Sequence, residues 1–397
     1  MPSSRSAHIL ASGLVVLAVL AGTAIQIHAA PESSVVAAKF DAEGYSQLLV
    51  PVRVENAEFW CSLDSGGSWV LSLDTAKALK AGLRPTGRGM SAGVGPAAEP
   101  DQRVYNTTVG LGHVVLRSVT IVLRPQSPAV PDMDCVMGLG LLADYVVQFD
   151  YLTPSVRIFD AGAYRPSRTA TAVPMSIDRF QNPYLEATLA LTPKDQVRAN
   201  LMLDTGASFV SAALMQRFVA DNGITTRLDR VIAEESQTPG VEVANARLSS
   251  LHVGPFQVTQ PVITLLLTPS AGVIHDGMVG AGFLKRFTVT FDYAHRQVWF
   301  EPNGRSTGRQ AFDASGLELR HLANGEYVVR SVASGSAGAS AGVRPGDHLA
   351  QIDGTDASQL TLADLKTRLS RDGALCTLRL RRNGTTQTAT LHLKERL

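Results

Sequence analysis

NLMLDTGASFV, residues 200–210, repeats an earlier stretch, WCSLDSGGSWV, residues 60–70, with Asp204 standing 140 positions after Asp64. Either stretch alone favours a turn, because Asp and Ser bond their own backbone, Gly accepts positive φ, and Asp-Ser/Thr-Gly is a loose pattern. The second copy changes that reading. Both copies run on into a helix-like stretch that ends at a glycine, VLSLDTAKALKAGL and VSAALMQRFVADNGI. Further along, DCVMGLGLLADYVVQFDY at 134–151 is matched by DGMVGAGFLKRFTVTFDY at 276–293, so Gly138 and Gly280, and Asp150 and Asp292, keep an offset of 142. Landmarks that hold one offset to within two residues mark an internal repeat, two copies of a module of roughly 130 residues.

Each copy is rich in strand patterns: VPVRVENAEFWCSLD, VVLRSVTIVL and VVQFDYLTPSVRIFD alternate or run β-branched between Gly, Pro and Asn. The aspartate therefore ends a strand that is apolar on both faces, as ANLMLD shows. A carboxylate there is more costly to desolvate than one in a surface turn. If the copies pack about a pseudo-twofold axis, Asp64 and Asp204 face each other and share one proton. The ionised member then takes a proton from water while the protonated member supports a carbonyl oxygen, which is general acid-base hydrolysis without a covalent intermediate. The neighbours suit that role: Gly66 and Gly206 let the backbone approach the carboxylates, Ser65 and Thr205 offer hydroxyls for a brace between the loops, and Ser68 and Ser208 stand where a hydroxyl could bond the outer carboxylate oxygen.

LDSGGS and LDTGAS, together with Val136-Met137-Gly138 and Met278-Val279-Gly280, make the chain resemble a retropepsin-like aspartic protease with both lobes on one chain. The resemblance covers residues 36–302. It implies a mainly β, bilobal pepsin-like acid-protease fold, with lobes at 36–160 and 171–302, Asp64 and Asp204 as the catalytic pair, and an extended polypeptide as substrate. Ser65 stands where Thr is the commoner choice in that family. The family's flaps correspond to GRGMSAGVGPAAEPDQ, 87–102, and VIAEESQTPGVEV, 231–243, neither of which carries the flap tyrosine of pepsin-type enzymes. In the resembled fold the strands bearing Cys61 and Cys135 run close together. Two buried thiols are the preferred state there, and a disulfide is the alternative.

After the polar linker 303–310 the pattern changes. AGVRPGDHLAQIDG, 341–354, resembles the bacterial PDZ-domain signature, and the resemblance covers 311–396, an α+β domain. It implies a peptide ligand added as a strand, with a C-terminal carboxylate received by a loop at Ser315 and Gly316, Leu317, Glu318, Leu319.

Composition bounds the rest. The 397 residues suffice for two or three domains, and 36 Lys+Arg against 35 Asp+Glu argue against a nucleic-acid partner. No Cys/His cluster suggests a metal, and no glycine motif has the spacing of a nucleotide site, so no cofactor is expected. Residues 1–30 read as a signal peptide or, through the uncharged run 9–27, as a membrane anchor, which puts the remainder in the periplasm or outside the cell. The resulting expectation is a monomeric exported aspartic endopeptidase whose PDZ domain recruits substrate. The alternative is a non-catalytic peptide-binding scaffold of the cell envelope.

Overall fold

Runs of Val, Leu and Ile broken by turn residues fold as strands throughout, and the computed structural model is mainly β, 49% strand and 11% helix. It describes residues 33–41, 47–68, 70–93, 95–125, 132–207, 211–234, 236, 240–271, 275–305, 307–322 and 324–397. The segment 1–30, read from sequence as a signal peptide or anchor, and Ser208 lie outside them. No helix among the described residues is long and apolar enough to cross a membrane.

The first half contains β1 (Leu48–Val54), β2 (Ala57–Asp64), β3 (Leu71–Leu73), helix α1 (Thr75–Lys80), β4 (Val114–Leu123) and β5 (Cys135–Gly138). The second contains β6 (Pro183–Thr192), β7 (Asp195–Leu203), β8 (Ala212–Leu214), helix α2 (Gln216–Asp221), β9 (Val231–Glu234), β10 (Val262–Leu266) and β11 (Gly277–Val279). Their sheets are wired alike. In the first, the order is β1-β2-β5-β3-β4; in the second, β6-β7-β11-β8-β10. The β2/β5 and β7/β11 pairs are parallel, and β5/β3 and β11/β8 are antiparallel. Register agrees as well: Leu63 pairs with Met137 and Leu203 with Val279, the offsets of 140 and 142 already present in the sequence.

Each carboxylate-bearing strand is apolar on one face only, since the other carries Glu58 and Ser62 in the first and Gln196, Arg198 and Asn200 in the second, which corrects the expectation of two apolar faces. Phe59, Cys61 and Leu63, like Ala199, Leu201 and Leu203, point into the main core. Trp60 and Met202, on the opposite faces, belong to two small satellite clusters. The segments matched to flaps form hairpins in corresponding places. Strand Gly87–Ser91 pairs with the start of Glu99–Leu111, and β9 pairs with Val243–Arg247. The first hairpin's tip reaches the second half, where Ala271 N–H donates to the Gly95 carbonyl at 3.0 Å.

A third sheet joins the halves. Its two inner strands, Tyr145–Asp150 and Phe287–Asp292, are the repeated QFD and TFD segments, paired antiparallel with Phe149 and Phe291 in edge contact at 5.7 Å. One hydrophobic core consequently runs through both halves, from Leu63 and Met137 to Leu203 and Val279.

Residues from Ala314 to Leu393 close a separate core. Here β12 (Leu317–His321) lies at the end of a sheet and is followed by β13 (Tyr327–Val332). Helix α3 (Leu362–Leu369) starts at a capping box, with Asp364 N–H on Thr361 Oγ1 and Thr361 N–H on Asp364 Oδ2, and buries Leu362, Leu365 and Leu369. The linker 303–310 is not a free connection. Thr307 O accepts from Thr259 N–H, and Gln310 Oε1 accepts from Ser211 Oγ and Val262 N–H, which straps the segment along the second half. The C-terminal tail docks there too, with Glu395 paired to both Arg247 and Arg309.

Candidate active site

Parallel pairing of β2 with β5 and of β7 with β11 delivers Asp64 and Asp204 to the ends of two facing strands. The residues that follow them lock the loops together. Ser65 N–H donates to Thr205 Oγ1 at 3.0 Å and Thr205 N–H to Ser65 Oγ at 3.0 Å. Ser65 Oγ donates to the Leu203 carbonyl and Thr205 Oγ1 to the Leu63 carbonyl, both at 2.7 Å. The four bonds are reciprocal and buried, and their lengths match pair by pair, so the missing methyl of Ser65 weakens no hydrogen bond.

Each glycine serves both carboxylates. Gly66 N–H bonds Asp64 Oδ1 at 2.8 Å, and Gly206 N–H bonds Asp204 Oδ1 at 2.8 Å, joined there by Ala207 N–H at 2.9 Å. Their α-carbons, however, face the opposite aspartates. A Cβ on Gly66 would fall 3.0 Å from Asp204 Cγ, and one on Gly206 2.5 Å from Asp64 Oδ2. Glycine is required because each loop packs directly against the other loop's carboxylate.

The two carboxyl groups meet across the braced loops, each against the glycine that follows the other. Burial raises the Asp204 carboxyl well above the ordinary range, and the neighbouring Asp64 charge pushes it further. Burial also raises Asp64, opposed by the neighbouring Asp204 carboxyl, by the Gly66 and Gly67 amides and by the positive field of Arg124. Both carboxyls are thus biased toward holding a proton, Asp204 the more strongly.

Ser68 departs from expectation. Its hydroxyl and its N–H both go to Asn182 Oδ1, at 3.2 and 3.1 Å, rather than to Asp64. Ser68 has φ = 60°, a conformation few non-glycine residues adopt, and Asn182 fixes it there. Ser208, its counterpart, is among the residues not described.

Sequence reading missed Gln47, Asn182 and Arg124. Leu49 pairs with Ser62 and Tyr184 with Met202, so Gln47 and Asn182, each two residues earlier, occupy equivalent places in the two halves. Both reach across: Gln47 Nε2 donates to the Gly206 carbonyl at 2.8 Å while Asn182 holds Ser68. The offset between them, 135, differs from that of the aspartates because the β1–β2 and β6–β7 hairpins differ in length. Arg124, held by Ser72 Oγ at 2.7 Å, acts on Asp64 only through its field.

The cysteine expectation is also corrected. Cys61 and Cys135 form a disulfide, their α-carbons 4.4 Å apart on directly paired positions of β2 and β5. Adjacent parallel strands hold the two thiols within bonding reach. Cys376 is a free, buried thiol.

At the C-terminal domain, Gly316, Leu317, Glu318 and Leu319 form the turn into β12 and its first residues, with Gly316 at φ = 72°. An end strand beside an amphipathic helix, over its own core, decides the identity of this part. Residues 314–393 are a PDZ domain, by match to that family. PDZ domains bind peptide ligands. The matched span coincides with the separate core, Ala314 to Leu393, and is shorter at both ends than the 311–396 read from sequence. No curated protein matches the chain.

Proposed function

We propose that the chain is an aspartic endopeptidase of bilobal, retropepsin/pepsin-like build that hydrolyses extended polypeptides. The observation that carries the reading is the pair of carboxyls, Asp64 and Asp204, both raised by burial and brought together by four reciprocal Ser65/Thr205 bonds. Asp64, the more readily ionised member, takes a proton from a bound water. The water oxygen forms a bond to the peptide carbonyl carbon as Asp204 gives its proton to the carbonyl oxygen. Collapse of the resulting gem-diol breaks the C–N bond, the proton held by Asp64 goes to the leaving nitrogen, and a hydroxyl proton returns to Asp204, restoring the dyad. Both carboxyls lie on one chain, so a monomer suffices. The two hairpins act as covers, and the PDZ domain recruits substrate. The Cys61–Cys135 bond supports an exported, oxidising location, periplasmic or secreted.

Digestion of a broad peptide library between acid and neutral pH tests the reading. Asp64→Asn and Asp204→Asn should each lower cleavage by about 10²–10⁴-fold. Residual activity near that of the unchanged chain would sink the dyad. Because burial raises both carboxyls, the kcat/KM profile should be bell-shaped and centred above the ordinary carboxylate range of about 4. The acid limb reports a second proton on the pair and the alkaline limb loss of the shared one. A profile with no alkaline limb would count against Asp204 as the acid.

The PDZ match favours one other reading, a non-catalytic peptide-binding scaffold. Full binding of library peptides by the chain without cleavage at any pH would select it.

A further inference from the structure

The loop entering β12 is where a PDZ domain receives a terminal carboxylate, yet here a carboxylate of the chain itself already binds its first two amides, those of Ser315 and Gly316. Asp313 Oδ1 accepts Ser315 N–H at 2.9 Å and Ser315 Oγ at 2.6 Å; Asp313 Oδ2 accepts Gly316 N–H at 2.8 Å. Leu317 N–H is taken by Ser315 Oγ at 3.1 Å. Three successive loop amides are thus committed. The loop is also fixed from behind, since Gly338 N–H bonds the Ser315 carbonyl and Ala333 N–H the Gly316 carbonyl, both at 2.8 Å.

The local charges are committed as well. Arg396 Nη1 lies 3.3 Å from Asp313 Oδ2 and 2.9 Å from Glu234 Oε1, and Arg330 lies 3.1 Å from Glu318 Oε1. Asp313 and Glu318 are both close enough to Glu234 to raise its carboxyl. An incoming terminal carboxylate would meet three acids whose arginines are engaged, and would have to displace a group of its own chemistry held intramolecularly. The side of β12 away from β13 is different. It is the end of the sheet, with Leu319 buried beneath it and Leu362 and Leu365 of α3 in the same core.

We propose that this PDZ groove takes an internal extended segment of a polypeptide as an added strand on β12, with no requirement for a free C terminus, and that Asp313 sets that specificity. The inference rests on the PDZ domain being a peptide-binding module. A chain with no terminal charge lays its backbone along β12 without entering the loop.

The test uses the full chain carrying Asp204→Asn, so that bound peptides persist. A random decapeptide library bearing a benzophenone photocrosslinker is made with free C-terminal carboxylates and, separately, with C-terminal amides. Crosslinks to residues 314–321 and 362–369 are counted by mass spectrometry, which leaves the dyad cleft out of the signal. The two libraries should crosslink within about threefold of each other, and Asp313→Ala should then favour the free acids by about tenfold as the loop amides open. An acid advantage above threefold in the chain with Asp313 intact overturns the proposal while leaving peptide binding standing. So does an Asp313→Ala chain that folds and shows no shift toward acids. Should that variant fail to fold, the comparison with Asp313 intact decides alone. No crosslink of either library at β12 or α3 overturns the proposal together with the peptide-binding reading beneath it.

Discussion

In the first half, the strand that ends at Asp64 is cross-linked to its parallel neighbour by Cys61–Cys135; in the second, the equivalent paired positions are Leu201 and Gly277. A Cβ on Gly277 would fall 2.3 Å from the Ala213 carbonyl oxygen and 3.1 Å from Leu201 Cδ2, so the backbone of β8, with the leucine beside it, takes the space a second side chain would need. One half fixes its strand pair covalently and the other by packing. The aspartate-bearing loops beyond these strands are nonetheless braced by the same four bonds at the same lengths. Symmetry is therefore kept in the Ser65/Thr205 brace and relaxed in the supporting strand pairs and in the crossing contacts of Gln47 and Asn182.

The contact between the loops offers the largest way to break that comparison. Gly206→Ala drives a methyl to 2.5 Å from Asp64 Oδ2 and 2.6 Å from its Cγ, into the Asp64 carboxylate itself. Gly66→Ala approaches Asp204 less closely, at 3.0 Å, and its nearest obstacle is the flexible Met202 methyl at 2.9 Å. Cleavage should fall by about 10²-fold or more in Gly206→Ala and by less in Gly66→Ala, since a displacement of about 1 Å can cost that much. Equal losses in steady-state kcat/KM would show that the asymmetry has no functional weight.

The brace itself should be even-handed. Ser65→Ala leaves the Leu203 carbonyl and the Thr205 N–H without their partners, and Thr205→Ala does the same to the Leu63 carbonyl and the Ser65 N–H. Each change should cost about 2–4 kcal/mol in denaturant unfolding, from two buried groups left unsatisfied. A Ser65→Ala cost well below that of Thr205→Ala would mean that the first loop is held by something else, Asn182 on Ser68 being the nearest candidate.

How far the sequence revealed all this depended on whether a residue had a copy. Asp64, Ser65 and Gly66 were legible because Asp204, Thr205 and Gly206 repeat them, and the matched glycine segments disclosed the parallel strand pairs. Gln47 and Asn182 occupy equivalent places but are different residues, outside any shared motif. Their partners lie 159 and 114 positions away, so no local pattern points to them. Ser68 was assigned to Asp64 from spacing alone, which carries no information about a residue arriving from the other half. Asp313 was within reach: an Asp two residues before Ser-Gly is the signature of a side chain turning back onto its own backbone. It was overlooked because it precedes the loop that the resemblance marked.

The disulfide sharpens the comparison at a smaller scale. It closes a sequence separation of 74, so Cys61→Ala with Cys135→Ala should lower stability by about 2–4 kcal/mol. Because one core runs through both halves, the loss should appear as a shift of a single unfolding transition. Separate transitions for the halves, resolved by calorimetry, would show that the shared sheet couples them less than its continuous core implies.

The smallest effect is expected where the PDZ domain meets the second half. Glu395 is nearly buried between Arg247 and Arg309, whereas Arg396 spans Glu234 at the end of β9 and Asp313, carboxylates that are each 27% exposed. Both carboxylates keep contact with water, and ion pairs so placed contribute about 0.2–1 kcal/mol. Arg396→Gln should accordingly lower unfolding stability by no more than that, with added salt narrowing the difference. Burial raises the Glu234 carboxyl, which then takes up a proton at a higher pH than an exposed glutamate. Protonation removes its pairing with Arg396, so the cost of Arg396→Gln should shrink on acidification, beginning above the ordinary glutamate range of about 4.3. A cost that instead stays constant down to that range would place the tie on Asp313 alone, and would uncouple the PDZ loop from the hairpin that β9 begins.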